Sequence, residues 1–246
     1  MRLKDKVAIV TGGGSGFGAG IAKAFFAEGA KVVVADINEI AAKQIAAQVQ
    51  GMGVQVDVSN RQSIERMLKH SLTHLNSVDI LINNAGITHL PAPMENIAEN
   101  EFDEIFAVNA KSVFLSSKVF IPYFKSRGSG TILNIASTAG ISPRPNLTWY
   151  NASKGWMITA TKGMAVELAP FGIRVNAINP VAGETPLLKS FMGEDTPEMR
   201  KKFLSTIPLG RFSTPEDIGS TAVFLCSDEA SMITGVALEV DGGRCI

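Results

Sequence analysis

The sequence predicts a single α/β domain built on a doubly wound, seven-stranded parallel sheet with helices on both faces. Three observations predict it. Short apolar runs of strand character alternate with segments of helical spacing along nearly the whole chain, a glycine-rich turn follows the first run, and the chemically informative residues fall where the runs end. At 246 residues the chain has the size of one such domain with a large core, and no Pro/Gly/Ser-rich linker divides it.

Val7-Ala8-Ile9-Val10, with charges before it and glycines after, reads as a buried strand over 7–11. Thr11-Gly12-Gly13-Gly14-Ser15-Gly16-Phe17-Gly18 follows, and then Ile21 to Phe26 at helical spacing. Strand, turn and helix in that order bring backbone N–H groups at a helix N-terminus to where a pyrophosphate can be received. Gly12 can make the tight turn, Gly16 can admit the phosphates close to the backbone, and Gly18 can let helix and strand pack closely; Ser15 and Phe17 belong to the same cradle. The second strand, 31–35, runs into Asp36, 18 positions after Gly18, close to where a dinucleotide fold places the carboxylate that binds a ribose 2′-OH. A 2′-phosphate would meet that charge, and no Arg or Lys in 12–16 or 37–42 neutralises it, so NAD(H) is expected over NADP(H). A helix cap for the helix beginning near Asn38 is the competing role for Asp36. Asp57, closing a third strand over 54–57, could bind the adenine amine or simply shape a turn. Ile37 and Val58 accompany these two acids as cofactor contacts.

Strands near 79–83 and 131–136 lead to Asn84-Ala85-Gly86 and to Ser137. Tyr150-Asn151-Ala152-Ser153-Lys154 then sets a phenol and an amine one helical turn apart on one face, an arrangement suited to moving a proton onto or off an alcohol oxygen. A free phenol titrates near ~10, and lowering it to about 7 requires roughly 4 kcal/mol, the size of effect one cation exerts in a water-poor cleft. A Tyr/Lys pair alone also fits a solvated helix face. Strands near 173–179 and 236–240 complete the seven. Between them, 181–214 carries prolines at 186, 197 and 208 and an amphipathic stretch, Glu198–Leu204, which reads as a substrate lid beside the crevice.

Thr11-Gly12-x-x-x-Gly16-x-Gly18, Asn83-Asn84-Ala85-Gly86, Asn109, and Ser137 thirteen positions before Tyr150-x-x-x-Lys154 together resemble the short-chain dehydrogenase/reductase family, over essentially the whole chain. The resemblance implies a Rossmann-type fold and an oxidoreductase moving hydride between a nicotinamide and a secondary alcohol or ketone. Tyr150 would be the general acid/base and Ser137 would polarise the substrate oxygen. Lys154 would lower the Tyr150 pKa and bind the nicotinamide ribose, with Asn109 holding a water that links Lys154 to solvent. Asn84, Ala85, Gly86 and Pro180 would contact the cofactor, and Thr185 the carboxamide. Relatives of this length include 3-oxoacyl-carrier-protein reductases and glucose or polyol dehydrogenases. A non-catalytic dinucleotide sensor on the same fold is the remaining alternative. One departure is Val181, where the family commonly has a glycine after Pro180.

The segment joining Ser137 to Tyr150 must border the substrate, and offers Arg144 between two prolines, Leu147 and Trp149. A stiffened guanidinium can grip a carboxylate, phosphate or sulfonate, or can be a turn arginine facing solvent. Phe171 stands where carrier-binding relatives tend to place a basic residue, with Lys125 and Arg127 the only compensation nearby, which favours a small polar or ring-containing alcohol. Lys+Arg and Asp+Glu number 23 each, so no net field recruits nucleic acid or an anionic membrane. Two cysteines and three scattered histidines suggest a reduced, cytoplasmic setting and no metal site. No apolar signal segment opens the chain. Apolar residues on the helices about 101–125 (Phe106, Val113, Phe114, Phe120) and 150–169 (Trp156, Met157, Thr161, Met164) suggest exposed interfaces of a homotetramer, with Arg244 of the C-terminal tail reaching a neighbouring lid.

Overall fold

The computed structural model describes residues Met1–Ile246. Seven strands, β1 (Val7–Thr11), β2 (Lys31–Asp36), β3 (Met52–Gln55), β4 (Ile80–Asn83), β5 (Gly130–Ile135), β6 (Ile173–Pro180) and β7 (Ala237–Val240), form one parallel sheet in the order β3-β2-β1-β4-β5-β6-β7. The helices are α1 (Gly16–Ala27), α2 (Glu39–Gln48), α3 (Arg61–Leu75), α4 (Glu99–Phe106), α5 (Ser112–Arg127), α6 (Thr148–Leu168), α7 (Leu188–Met192), α8 (Pro197–Leu204) and α9 (Pro215–Cys226). The strand order reverses between β1 and β4, so the loops leaving their C-terminal ends diverge and open a crevice there.

Alternate strand residues explain why the apolar runs are continuous. Ala8, Val10, Val32 and Val34 pack with Ile21 and Phe25 of α1 and Ile218 of α9, while Val7, Ile9, Val33 and Ala35 pack with Ile64 of α3, Phe120 of α5 and Leu168 of α6. Both faces are covered, so neither alternating set can be polar.

Three expectations need correction. The third strand lies two residues earlier than 54–57, because Asp57 Oδ1 accepts from both Ser59 N (2.9 Å) and Ser59 Oγ (2.7 Å), a local turn that draws the chain out of the sheet after Gln55. The helix about 101–125 is not uniform: residues Ala107–Lys111 between α4 and α5 form a π-helical turn. Val113, Phe120, Met157 and Thr161 are buried, the last bonded through its hydroxyl to Asn134 (2.8 Å), so these residues serve the core; only Phe114 and Trp156 of the named set stand well exposed. The whole run Glu99–Arg127 is long and apolar enough to cross a bilayer, and its apolarity here is matched by the burial of Val113, Phe120 and Phe124.

The C-terminal tail folds against its own chain. Arg244 Nη1 donates to Ser142 Oγ (3.0 Å) and Leu209 N donates to Gly242 O (3.1 Å), so the tail engages this chain's own lid and substrate loop; Asp241 fixes that path by accepting from Gly243 N and Cys245 N. The lid itself has a small core of Val181, Leu188, Met192, Phe203, Ile207 and Phe212. Val181 is not among the residues with positive φ, so no glycine is needed there and its side chain anchors the lid instead.

Candidate active site

A cavity of about 450 Å³ lies along the C-terminal edge of β1, β4, β5 and β6, roofed by the lid. Of the sequence-derived site residues, Gly12, Ser15, Gly16, Phe17, Asp36, Ile37, Asp57, Val58, Asn84, Ala85, Gly86, Ser137, Arg144, Leu147, Tyr150, Lys154, Pro180 and Thr185 line it. Gly18, Asn109 and Trp149 do not.

The turn after β1 is built around Thr11, whose hydroxyl donates to Ile82 O (3.0 Å) and accepts from Asn84 N and Ala85 N (3.0 and 3.2 Å). Gly12 leaves the strand at φ +60, and a Cβ there would sit 2.8 Å from Ala85 Cα. The Asn84 amide donates to Thr11 O and Gly12 O (2.8 and 3.0 Å), so its side chain fixes the turn while the rest of the residue faces the cavity. Gly18 works by packing alone, since a Cβ would meet Gly12 O at 2.1 Å. Ser15 is the N-cap of α1 but makes no side-chain cap bond, and no acidic residue occupies the first turn. The N–H groups of that helix start are therefore available to an anion.

At the far end of β2, Asp36 accepts from Gly14 N and Asn38 N, each at 2.9 Å. Helix α2 is capped by Asn38 through Ala41 N (3.1 Å), which removes the capping role considered for Asp36 and leaves its carboxylate at the cavity rim. Ile37 beside it is 68% exposed, an apolar surface at that rim. These features fit the adenosine half of a dinucleotide: a carboxylate acceptor, a flat apolar wall, and helix N–H groups for the phosphates.

Ser137 lies two residues past the end of β5, and its hydroxyl accepts from Ala139 N (3.1 Å). Tyr150 and Lys154 project from the first turns of α6, both buried, and Lys154 Nζ donates to Ile135 O (2.9 Å). Asn109 sits in the π-helical turn, fully buried, where the extra residue turns its amide inward. Its Nδ2 donates to Ile87 O and Ser153 Oγ (2.9 and 3.0 Å) and its Oδ1 accepts from Ile87 N (2.9 Å), so both amide protons are occupied and only the second lone pair of Oδ1 is left for a water. Gly86 keeps this place open, because a Cβ on it would lie 3.3 Å from both Asn109 Oδ1 and Lys154 Nζ.

Electrostatics in the cofactor-free protein differ from the sequence expectation. Burial pushes the Tyr150 phenol up to about 12, with the Ser137 hydroxyl pulling it part of the way back, and burial pushes the Lys154 ammonium down to about 8. Lys154 lies 5.9 Å from the Tyr150 ring centre and bonds to a backbone carbonyl, so desolvation of the phenol outweighs the attraction of the cation.

On the substrate side, Phe191 of α7 packs edge-on against Tyr150 at 5.0 Å, and Arg144 lies over Phe203 of α8 at 4.3 Å. Trp149 corrects the expectation for it: one position before Tyr150 on the helix, it turns away, donating to Met94 O (3.3 Å) and meeting Phe102 edge-on at 5.4 Å. Sequence reasoning missed Phe191 and Phe203, although aromatic residues at apolar positions of lid helices were a usable signal. It also missed a buried chain in which Ser116 Oγ donates to Asn83 Oδ1, Asn83 Nδ2 to Asn134 Oδ1 and Asn134 Nδ2 to Thr161 Oγ1, tying β4, β5, α5 and α6 together beneath the site. Such pairings cross the sheet and leave no local pattern.

Comparison with known proteins agrees with this geometry. Residues 12–244 match a family model described as enoyl-(acyl carrier protein) reductase. The chain is 47% identical to 4-formylbenzenesulfonate dehydrogenase of Comamonas testosteroni, with all of both chains covered. It is 38% identical to 2,5-dichloro-2,5-cyclohexadiene-1,4-diol dehydrogenase of Sphingobium indicum, covering 98% of this chain and 97% of that one. Among solved structures, a 3-ketoacyl-(acyl-carrier-protein) reductase from Brucella melitensis complexed with NADH aligns with a TM-score of 0.95 at 49% identity, over 99% of this chain and 100% of that one.

Proposed function

The chain belongs to the short-chain dehydrogenase/reductase family and moves hydride between a nicotinamide cofactor and a secondary alcohol or its ketone, and on that premise we propose that it prefers NAD(H), with Tyr150 as general acid/base. The observation that carries the preference is the Asp36 carboxylate, held at the cavity rim by Gly14 N and Asn38 N. A ribose 2′-OH can donate to it, whereas a 2′-phosphate meets its charge. We expect kcat/KM to favour NAD(H) over NADP(H) by at least ~10-fold, since a charged hydrogen bond is worth about 1.5–3 kcal/mol. Asp36→Ala should narrow that gap, and a wild-type preference for NADPH would refute the assignment.

When bound, the nicotinamide accepts or supplies the hydride and, when oxidised, carries a positive charge. The chain's residues do the rest. Ser137 donates to the substrate oxygen and holds it beside Tyr150, which takes up or returns the hydroxyl proton. Lys154, held by Ile135 O, would bind the nicotinamide ribose hydroxyls and stabilise the phenolate of Tyr150. Asn109 positions the Ile87 backbone and Ser153, and through its remaining lone pair can order the water that connects Lys154 to solvent. Segment 181–214 acts as the lid that excludes water, held together by a core that includes Leu188 and Phe203.

For the substrate, a ring-containing alcohol is favoured over a carrier-bound acyl chain. The ring compounds in the names of two relatives, 47% and 38% identical, support this reading, while the 49% identical solved structure is named for a carrier-bound substrate. So does the loss of the basic patch that carrier docking needs: Arg127 pairs with Asp79 (2.8 Å), and Lys125 lies over Phe171 at 3.9 Å, next to Gly172 at the start of β6, the edge of the sheet opposite the cavity. The protein is further proposed to act in the cytoplasm as a homotetramer, through the exposed Phe114 and Trp156 of α5 and α6 and through the open edge strand β7. Light scattering should give a mass near four chains; an active, monodisperse monomer would rule the assembly out.

A further inference from the structure

The two ends of the cavity carry opposite charge. Asp36 and Asp57 line the dinucleotide end, while Lys154 and Arg144 are the only charged residues lining the remainder. Lys154 has its place beside Tyr150. Arg144 has none assigned: neither it nor Arg244 forms an ion pair with any carboxylate of the protein.

The two arginines are nonetheless held in position. Arg144 lies between Pro143 and Pro145, its carbonyl accepts from Asn151 Nδ2 (2.8 Å), its guanidinium stacks on Phe203, and its Nη2 is 3.4 Å from Thr206 Oγ1. Arg244 does not itself line the cavity; it reaches Ser142, two residues before Arg144, and its Nε is buried without any hydrogen-bond partner. The nearby acid of the tail, Asp241, is occupied by Gly243 N and Cys245 N. Burial first, and the charge of Arg244 second, press the Arg144 pKa down to about 10. Two guanidiniums brought together with an orphaned donor and no counter-ion are unfavourable in isolation. The arrangement is accounted for if the counter-ion arrives with the ligand. Leu147, Phe191 and Phe203 give the space between Tyr150 and Arg144 an apolar lining.

We propose that Arg144 of the substrate loop and Arg244 of the C-terminal tail form an oxyanion-recognition site at the substrate end of the cavity, which takes the carboxylate or sulfonate of a ring-containing alcohol whose carbinol carbon faces Tyr150. This rests on the hydride-transfer reading of the site and adds to it the class of substrate and a role for the tail. Arg144, with its planar fork, makes the direct contact; Arg244 sets the loop and adds its charge.

The test compares 4-(1-hydroxyethyl)benzoate and 4-(1-hydroxyethyl)benzenesulfonate with the neutral 1-(4-methylphenyl)ethanol, each with NAD. The wild-type protein should favour the anions in kcat/KM by at least ~10-fold, carried by KM, in line with a charged hydrogen bond. Arg144→Met and Arg244→Met should each collapse that ratio toward one, Arg144→Lys should restore part of it, and NADH fluorescence titration should show each variant still binding cofactor. Equal use of charged and neutral alcohols by the wild type, or a ratio that survives both methionine variants, overturns the proposal while leaving hydride transfer intact. Should none of the alcohols be turned over, calorimetric titration of the NADH complex with benzenesulfonate reads the site by itself. Saturable binding lost in Arg144→Met upholds the oxyanion site and sinks the alcohol reading alone; no saturable binding overturns the site as well.

Discussion

Replacing Tyr150 with Phe is expected to lower kcat by at least ~100-fold while leaving NADH affinity near the wild-type value, because the change deletes one hydroxyl and no cofactor-binding surface. The ring can stay where it is, buried between Ala139, Leu147 and Phe191, so the loss reports chemistry and not folding. Steady-state turnover and NADH fluorescence titration check the two halves. The same phenol fixes the pH dependence. Alcohol oxidation needs the phenolate, so its rate should rise with pH toward the Tyr150 midpoint; ketone reduction needs the phenol and should fall through that same midpoint. In the protein by itself that midpoint lies at about 12, so Tyr150 is protonated across the neutral range. The positive charge of oxidised nicotinamide favours the phenolate, so the midpoint for oxidation should fall below the cofactor-free value, and Lys154→Met should raise it again. Unchanged turnover in Tyr150→Phe would remove Tyr150 from the mechanism.

How much of this was legible in the sequence depends on how local each signal is. The central strands could be read because they are buried on both faces and bounded by turn residues, whereas the half-buried edge strands β3 and β7 signal more weakly and β3 was placed two residues late; the glycine turn could be read because Gly12 and Gly18 answer to contacts within one strand-turn-helix unit. The Tyr150/Lys154 pair is likewise one turn of helix. What escaped was non-local or a matter of solvation. The direction of the Tyr150 shift depends on how completely the lid and sheet bury the phenol, which no spacing encodes. The division of α5 and α6 residues into core and surface depends on neighbours such as Asn134 across the sheet, and Trp149 was assigned to the cavity because it adjoins Tyr150 in sequence, although neighbours in a helix point about 100° apart. The bond from Arg244 to Ser142 escaped because it joins positions 102 residues apart.

Gly18→Ala should be nearly as damaging as loss of the phenol, although it adds one methyl group at the phosphate turn and touches none of Ser137, Tyr150 or Lys154. A Cβ at this position would lie 2.1 Å from Gly12 O and 2.5 Å from Asn84 Nδ2, and both are constrained: Asn84 already holds Thr11 O and Gly12 O, and Gly12 already sits against Ala85. Neither neighbour is the free end of a flexible side chain. The turn must therefore move, at a stability cost of about 1–3 kcal/mol for an overpacked contact. That movement displaces the helix start from its register with the phosphates, and a misplacement on the order of 1 Å is worth about 100-fold in kcat/KM. Gly163→Ala separates this from a general intolerance of added bulk. Gly163 is exposed on α6 of the single chain with nothing within 4 Å of an added Cβ, and it shares a helix face with Trp156, so Gly163→Ala should leave NADH affinity alone even where the added methyl group meets a neighbouring subunit. Thermal melts and NADH titrations on the pair decide it: if Gly18→Ala binds NADH as the wild type does, the turn after β1 does not hold the pyrophosphate, and the cofactor must enter the cavity in some other orientation.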